Sequence, residues 1–334
     1  MKIKVASFNL FQFCAPPYSW YIKKDKFTNE QWDKKTNWIK EQIEKMDCDI
    51  IGFQEVFSKN ELEKLCKELG FKYFITVDDA KKDKINSNVY TSTTVALASK
   101  YPILKIEEVK PHIKSLKKHF FNEKFNFSRK PIKALIEIEN KKEIYIYVNH
   151  FKSNRLNEFE YIFDKQTSLD EKKQKVFSSL KNKNLSALKQ RLCETSSLYY
   201  DFLNCDKPII CLCDLNDKEF SLSIDALTNS SYHNERKKFN SYLLYDAYNL
   251  ASKKQLNPHP EKKILRKATS YYLSKGNVID YIFVSKDFNK KDKNAIGKIN
   301  SYEVLDNHLK DNKDGSLLQS DHAQIVCEIE FFNL

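Results

Sequence analysis

Short apolar runs that stop on a polar side chain recur along this chain. The clearest is Pro208-Ile-Ile-Cys-Leu-Cys-Asp-Leu-Asn-Asp217. Ile209 to Cys213 are the uninterrupted apolar positions that a strand buried on both faces requires, and Pro208 stands first, where no ladder donor is needed. If the backbone stays extended past Cys213, the period of two puts Asp214 and Asn216 on one side. A carboxylate and an amide then share the carboxyl end of a central strand, the edge at which layered α/β proteins bind ligands. A plain turn is the competing reading of that pair, because Asp and Asn both favour turns. Repetition weighs against it, since four other apolar strands end in, or carry, an acid, an amide or an imidazole.

Taken in order, Ile3, Val5 and Phe8 begin a strand that ends in Asn9. An aromatic and charged excursion from Phe11 to Thr28 follows. Trp32, Thr36, Ile39, Ile43 and Met46 then recur at helical spacing, which predicts a helix lying on a sheet. Asp49-Ile-Ile-Gly-Phe-Gln-Glu55 is a second buried strand with an acid at its end. Ser58-Lys-Asn-Glu61 has the form of a capping box, leading into a short helix with Leu62, Leu65, Cys66 and Leu69 on its face and Gly70 as its stop. Strands are expected at 73–77, 93–99 and 103–109. The stretch 110–130 has no period and reads as a solvated excursion ahead of the alternative, a loop that meets substrate. Residues 132–139 and 143–150 read as a hairpin, the second strand alternating Ile144, Ile146 and Val148 with Tyr145 and Tyr147 and ending in His150. Residues 151–183 read as a long polar loop with short helical pieces, a length that is uncommon unless it serves function or is disordered. A helix over 185–203 feeds the Pro208 strand. A short helix is expected at 220–227 and a helical patch at 242–250. Val278 to Val284 is a buried strand with Asp280 inside it, and a last strand over 323–332 follows Ser320-Asp321-His322. Mixed strands and helices in this order, with at least two hairpins, predict two sheets packed face to face and covered by helices, with the polar strand ends gathered on one rim.

Composition narrows this only slightly. The 334 residues are 41% hydrophobic, with no shift that marks a linker. One domain with insertions near 110–130, 151–183 and 228–268 is the expectation. The net charge of +12 and the pI of about 9.0 suit a polyanionic partner such as nucleic acid, or an anionic membrane surface. Nearly all of that charge is lysine, arginine occurring only as Arg129, Arg155, Arg191, Arg236 and Arg266, so it is weak support for a dedicated groove. Cys48, Cys66, Cys211, Cys213 and Cys327 fall in apolar patterns and read as buried hydrophobes, and no Cys/His spacing suits zinc or a disulfide framework. No secretory leader and no membrane-length apolar run is visible, which makes a cytoplasmic monomer the default expectation.

The strand-end residues Asn9, Glu55, His150, Asp214, Asn216, Asp280, Asp321 and His322 carry the candidate chemistry. A buried carboxylate costs several kcal/mol without a partner, so Asp280 needs one, and His322 is the natural candidate. An Asp that holds one imidazole nitrogen orients the ring for acid or base work. Glu55, with Asn9 and Asp321, offers hard oxygen ligands in a number that matches Mg2+, with Mn2+ or Ca2+ as alternatives.

Six ordered segments give these residues a context: Ser7-Phe-Asn9, Gln54-Glu55-Val56, Val148-Asn-His150-Phe-Lys-Ser153, Cys213-Asp214-Leu-Asn216, Ile279-Asp280-Tyr281 and Ser320-Asp321-His322. Together they resemble the endonuclease/exonuclease/phosphatase superfamily, whose members include DNase I-like nucleases, neutral sphingomyelinases and inositol-polyphosphate 5-phosphatases. The resemblance runs from residue 5 to residue 330. It implies a four-layered α/β sandwich and metal-dependent hydrolysis of a phosphate ester. By position it makes Glu55 the main metal ligand, with Asn9 and Asp321 beside it. His150 and His322 would contact the scissile phosphate, Asp280 would hold His322, Asp214 would align or deprotonate the attacking water, and Asn216 would bond phosphate oxygens. The sequence departs from the usual pattern at Cys213, where a glycine is common and positive φ would be strained.

Substrate is less determined. The Asn-His-Phe-Lys-Ser run most resembles bacterial nucleases, so a DNase, with RNA as a further substrate, leads; Arg129, Lys152 and Asn154 are its candidate substrate-binding residues. A lipid or inositol phosphate phosphoesterase is the alternative. A catalytically dead binding protein ranks last, since every expected polar position is filled.

Overall fold

The computed structural model describes residues 1–121, 124–154, 161–182, 185–234, 241–256, 266–273, 275–312 and 316–332. The first half of the chain gives strands β1 (Lys2–Phe13) and β2 (Ser19–Trp20), helix α1 (Asn29–Met46), strand β3 (Ile50–Val56) and helix α2 (Lys59–Glu68). Strands β4 (Tyr73–Ile75), β5 (Val89–Tyr90), β6 (Thr94–Ser99) and β7 (Ile103–Glu107) follow, then helix α3 (Ile113–Lys118) and the hairpin β8 (Ile132–Ile138) and β9 (Lys142–His150). Next come helices α4 (Leu169–Asn182) and α5 (Ser186–Phe202), strand β10 (Ile209–Asp214), and helices α6 (Leu222–Thr228) and α7 (Ser230–His233). The chain continues with β11 (Leu244–Asp246), α8 (Ala247–Leu250), β12 (Lys253–Lys254), β13 (Ser270–Tyr272), β14 (Lys275–Asn277), β15 (Asp280–Ser285), β16 (Gly297–Leu305) and β17 (Gln324–Phe331).

Two large mixed sheets result. One runs β12-β16-β17-β1-β3-β6-β4 and the other β11-β15-β10-β9-β8-β7. Their facing sides interdigitate Val5, Ile50 and Leu97 with Ile146, Ile210 and Ile282, all buried. This is the expected four-layered sandwich. The sheets come closest at Gly52, where an added Cβ would lie 3.0 Å from Leu212 and from Val148. On the outer side of the first sheet, α1 and α2 cover Phe8, Ile51 and Phe53 with Ile39, Ile43, Leu62 and Leu65. On the outer side of the second, α5 lays Leu198 and Phe202 on Tyr147, Cys211 and Cys213. In the first sheet β1 is parallel to β3; in the second β9 is parallel to β10. All four strands therefore end on one rim, where Asn9, Glu55, His150 and Asp214 lie.

Several expectations change. The Ser58 capping box does not form: the Ser58 hydroxyl accepts from the Ala15 N–H at 2.8 Å instead. A capping box does start α1, with Thr28 and Gln31 exchanging bonds. The stretch 110–130 is not simply solvated. It carries α3, and Leu116 and Phe125 are buried against Cys193 of α5, with Phe121, Phe125 and Phe127 meeting edge to face. Rings at that irregular spacing show no period, so only tertiary contact reveals them. The described part of 151–183 holds a full helix, α4, whose Val176 and Leu180 pack on Leu188 and Leu192; 155–160 lie outside the described residues. The patch expected to be helical at 242–250 is half strand, β11, before α8 begins. Strand β16, a partner of β17 along most of its length, is an element the pattern did not predict.

Around α3, α5 and α7 two histidines lie among rings, His119 buried and His233 half-buried. His119 Nε2 meets the Tyr232 hydroxyl at 2.6 Å, and His233 stacks on Tyr199 at 3.9 Å while donating to the Ala226 carbonyl. Burial holds both pKa values down, each to about 3. The unfolded chain, with its ordinary pKa near 6.5, then binds more protons between pH 6.5 and 3, so stability is complete above that window and falls as pH drops through it. Each histidine is expected to cost about 2 kcal/mol between pH 6.5 and 5. Urea melts of His119→Gln and His233→Gln across that range should show a correspondingly flatter pH dependence; parallel curves for wild type and variants would contradict the assignment.

Candidate active site

The centre of the rim is Asp214, fully buried at the last position of β10. Its Oδ2 accepts from Asn9 Nδ2 at 2.9 Å and lies 3.3 Å from His150 Nε2. Asn9 ends the regular pairing of β1 with β3, and His150 ends β9, so three strands from two sheets converge on one oxygen. Asp280, paired opposite Asp214 in β15, holds His322 Nδ1 at 2.9 Å and 3.1 Å through its two oxygens. The partnership expected for the buried Asp280 is therefore present. Two backbone N–H groups, of Ile279 and Asp280, donate to Thr269 Oγ1 and fix the start of β15. Ser320 fixes the other half: its hydroxyl donates to the Asn9 carbonyl at 2.8 Å and accepts from the His322 N–H at 3.0 Å.

These surroundings set the protonation states. Burial raises Asp214 to about 7, with Asp280 adding to the rise and His322 opposing it. Such a carboxylate is poised to accept a proton near neutrality. Burial disfavours charge on His322, but the carboxylates of Asp280, Asp321 and Asp214 outweigh it and hold its pKa well above the ordinary value. His150 goes the other way: burial, then the positive charges of Arg129 and His322, keep it neutral. One charged and one neutral imidazole thus face the same carboxylate.

Asn216 reaches this centre by a route the strand pattern did not anticipate. β10 stops at Asp214, and Asn216 turns left-handed with φ +52°, its N–H donating to Asp214 Oδ1 at 2.9 Å. A turn and a site are the same feature here. The Asn216 amide donates to the Phe151 carbonyl at 3.2 Å. Glu55 is also left-handed, φ +60°, at a register shift between β3 and β6. Non-glycine residues seldom adopt this conformation, and where they do they cluster at functional positions. Cys213, where glycine is common, stays within regular β10 and carries no such strain.

Glu55, Asp321 and Asn9 form the acidic side of the rim. Glu55 Oε2 accepts from the Gln12 N–H at 3.0 Å, and Asn9 Oδ1 accepts from Phe11 N–H. Asp321 Oδ1 is shut off from solvent with no hydrogen-bond donor among the described residues, 3.8 Å from His322 Nε2, and burial and then Glu55 push its pKa up to about 6. Neighbouring carboxylates, one with an orphaned oxygen, fit a hard divalent cation held by Glu55 and Asp321 with the Asn9 amide oxygen alongside. Asp214, Asp280 and His322 also bring ligand-type atoms within 4.8 Å of one another. The His322 nitrogen in contact with Asp280 is occupied by that bond, however, which suits proton handling better than ligation.

Four residues around the site were not legible as such. Lys35, on the buried face of α1, donates through Nζ to the Leu317 and Gln319 carbonyls, both at 2.8 Å, and so ties down the segment leading to Asp321. Burial lowers its pKa to about 7, opposed by Glu55 and Asp321. A lysine in an amphipathic helix reads as solvated; its position between Trp32 and Ile39, on the apolar stripe, was the available signal. Arg191 and Glu194 of α5, both buried, clamp the chain after His150: Arg191 Nη1 donates to the Lys152 carbonyl at 3.0 Å, and Glu194 accepts from the Lys152 and Ser128 N–H groups. Tyr21, left-handed and 45% exposed, lies close enough to Glu55 and Arg129 for both to act on its hydroxyl.

Of the expected substrate contacts, Arg129 is at the rim, its Nη1 donating to the Phe151 carbonyl at 3.1 Å and its Nε facing Thr93 Oγ1 at 3.4 Å. Lys152 is half-buried beside it in sequence with His150. Asn154 is grouped with Arg191, Asp217 and Leu188 around a small cavity instead.

The family model described as the endonuclease/exonuclease/phosphatase family matches residues 6–322. The chain belongs to this family. Endonuclease/exonuclease/phosphatase proteins are phosphate-ester hydrolases and generally depend on a divalent metal. No curated protein sequence matches the chain. Among solved structures it is similar to the human Nocturnin catalytic domain (16% identity, 99% of this chain and 94% of that one, TM-score 0.58). It is also similar to a humanised D. rerio TDP2 (12%, 98% and 99%, 0.57) and to a Bacteroides thetaiotaomicron mannosyl-6-phosphatase (15%, 98% and 100%, 0.53). At these identities the likeness establishes the shared sandwich, not a shared substrate.

If Glu55 and Asp321 hold the cation, Mg2+ should raise the melting temperature, by an amount equivalent to about 2.7 kcal/mol at a hundredfold excess over Kd. Glu55→Gln and Asp321→Asn should lose most of that metal-linked rise while remaining folded. An equal rise in wild type and both variants would place the ion elsewhere.

Proposed function

We propose that the protein is a metal-dependent phosphodiesterase, a nuclease that hydrolyses DNA, with RNA as a further substrate. The observation that carries the hydrolytic part is the single oxygen of Asp214 on which Asn9 and His150 converge, next to the Asp280–His322 pair. In this reading Asp214, fixed by the Asn9 amide, takes a proton from the water that attacks phosphorus. As the new P–O bond forms, the bond to the leaving oxygen breaks in line with it. His322, charged and oriented by Asp280, donates to phosphate oxygens; neutral His150 turns its single Nε2–H from Asp214 to them, and Asn216 adds a third donor once its amide leaves the Phe151 carbonyl. A divalent cation at Glu55 and Asp321 would polarise the phosphate and neutralise developing charge. Positioning and charge neutralisation of this kind are what phosphoryl transfer requires.

Nucleic acid is favoured by Arg129, anchored at the rim beside the exposed ring of Tyr21, and by the net charge of +12. An arginine and a stacking ring are the usual means of holding a strand. All eight cysteines are free, and seven are buried, in keeping with a reducing, cytoplasmic compartment. A second reading, a lipid phosphoesterase, draws on the β13–β14 hairpin. Its base touches the site through a Ser270–His322 bridge, while Tyr272 and Leu273 beyond it are 51% and 71% exposed.

Supercoiled plasmid decides between them. Nicking should need Mg2+, stop with EDTA, and fall at least about 100-fold in His150→Ala and Asp214→Asn. DNA binding should weaken steeply with salt as phosphate contacts release counterions. A wild-type protein that leaves plasmid, linear DNA and RNA intact but releases headgroup from sphingomyelin or phosphoinositide vesicles would overturn the nuclease reading and favour the lipid one.

A further inference from the structure

On the rim that carries His150, the sandwich is open two strands away. A cleft of about 390 Å³ lies between the end of β4 in one sheet and the ends of β7 and β8 in the other. That is near the small end of ligand pockets. Register fixes its level. Ile132 pairs with Val148 and Glu107 with Lys133, so by extension Lys130 stands level with His150, Pro131 with Asn149 and Glu108 with Val148, all in the last residues of β9. Neighbouring strands are about 4.8 Å apart, so the cleft begins about 10 Å from the phosphate-handling groups. Arg129 stands between, its guanidinium joined to Phe151 on the side of the second sheet and to Thr93 on the side of the first.

We infer that this cleft receives the nucleoside next to the scissile phosphate, an assignment that rests on the nuclease reading. Aromatic and aliphatic groups supply the interior: Phe125 and Phe127 meet edge to face at 5.3 Å, and Ile106, 49% exposed on β7, and Val77 line the cleft with them. Charge argues against a second phosphate there. Glu107 is already paired with Lys133 at 2.9 Å and with Lys105, and Asp78 and Glu108 balance Lys81 and Lys130, so the wall offers no surplus of positive charge for a phosphate. Charges on the wall argue equally against an acyl chain, which would desolvate them. A planar ring with polar edges fits both sets of groups: its faces lie on Phe127 and Ile106, and its amino, carbonyl and hydroxyl groups meet Asn126, Asp78 and Lys130. With the phosphate at His322 and His150, Arg129 then contacts the phosphate that links the two subsites.

Two substitutions test this without touching the reaction centre. Ile106→Trp fills the cleft from an exposed strand position, and Phe127→Leu removes an aromatic face while keeping apolar bulk. The probes are adenosine 5′-monophosphate, checked for integrity after each titration, and inorganic phosphate. Adenosine 5′-monophosphate should bind wild type with its base protons receiving the strongest saturation transfer. Its Kd should rise about tenfold in Ile106→Trp and about fivefold or more in Phe127→Leu, the scale of one lost base stack, with the Kd of inorganic phosphate moving far less. Equal weakening of both probes, no change in either variant, or no saturation of the base protons in wild type would overturn the inference. The nuclease reading fails separately, on the plasmid: cleavage of DNA with a nucleotide that ignores both substitutions would leave the activity standing and remove the cleft from it.

Discussion

One hydrogen bond between the two sheets, from Asn9 to Asp214, holds this site together. Its partners are 205 residues apart, and each sits where its strand stops pairing regularly. The bond joins a carboxylate pushed toward neutrality by burial to the strand end beside the acidic side of the rim. Ser320 extends the link, gripping the Asn9 carbonyl with one bond and the His322 backbone with another. The Asp214 side and the Glu55 side of the rim are thus fixed to each other by the packing of the sandwich, and neither can shift without moving a central strand.

Charge in this rim is arranged by opposition. Carboxylates cluster at Glu55, Asp321, Asp280 and Asp214, and each would be costly to bury alone. His322 and Lys35 offset them from opposite sides, one inside the cluster and one behind it in α1. Two of the acids remain raised in pKa even so. A rim left with excess negative charge, and with an Asp321 oxygen that finds no donor among the described residues, has the character of a cation site and costs stability that the surrounding hydrophobic sandwich offsets.

Where the sequence could be read and where it could not follows from the range of the interactions. Strand-end chemistry was legible because an acid or imidazole at the end of an apolar run is a local anomaly: Asn9, Glu55, His150, Asp214, Asp280 and His322 all declare themselves that way. Lys35 does not, since its two carbonyl partners come from a segment more than 280 residues later. Ser58 looked like a helix cap and serves the turn after β1 instead, because Ala15 presents a buried N–H that needs an acceptor. The rings of 121–127 and the edge strand β16 depend on neighbours that periodicity cannot name. Asn216 was placed at the site for the wrong local reason, by extended alternation rather than by the left-handed turn that Asp214 itself caps.

Strand β1 lies in the middle of its sheet, between β3 and β17, and most of the sequence separates those two neighbours. A growing chain can pair β1 with β3 and close much of the second sheet, yet the Asp280–His322 pair is missing until residues 320–331 emerge, and long-range pairing of this kind forms late. A chain interrupted before His322 therefore carries much of the sandwich while the rim around Asp214 is still unfinished.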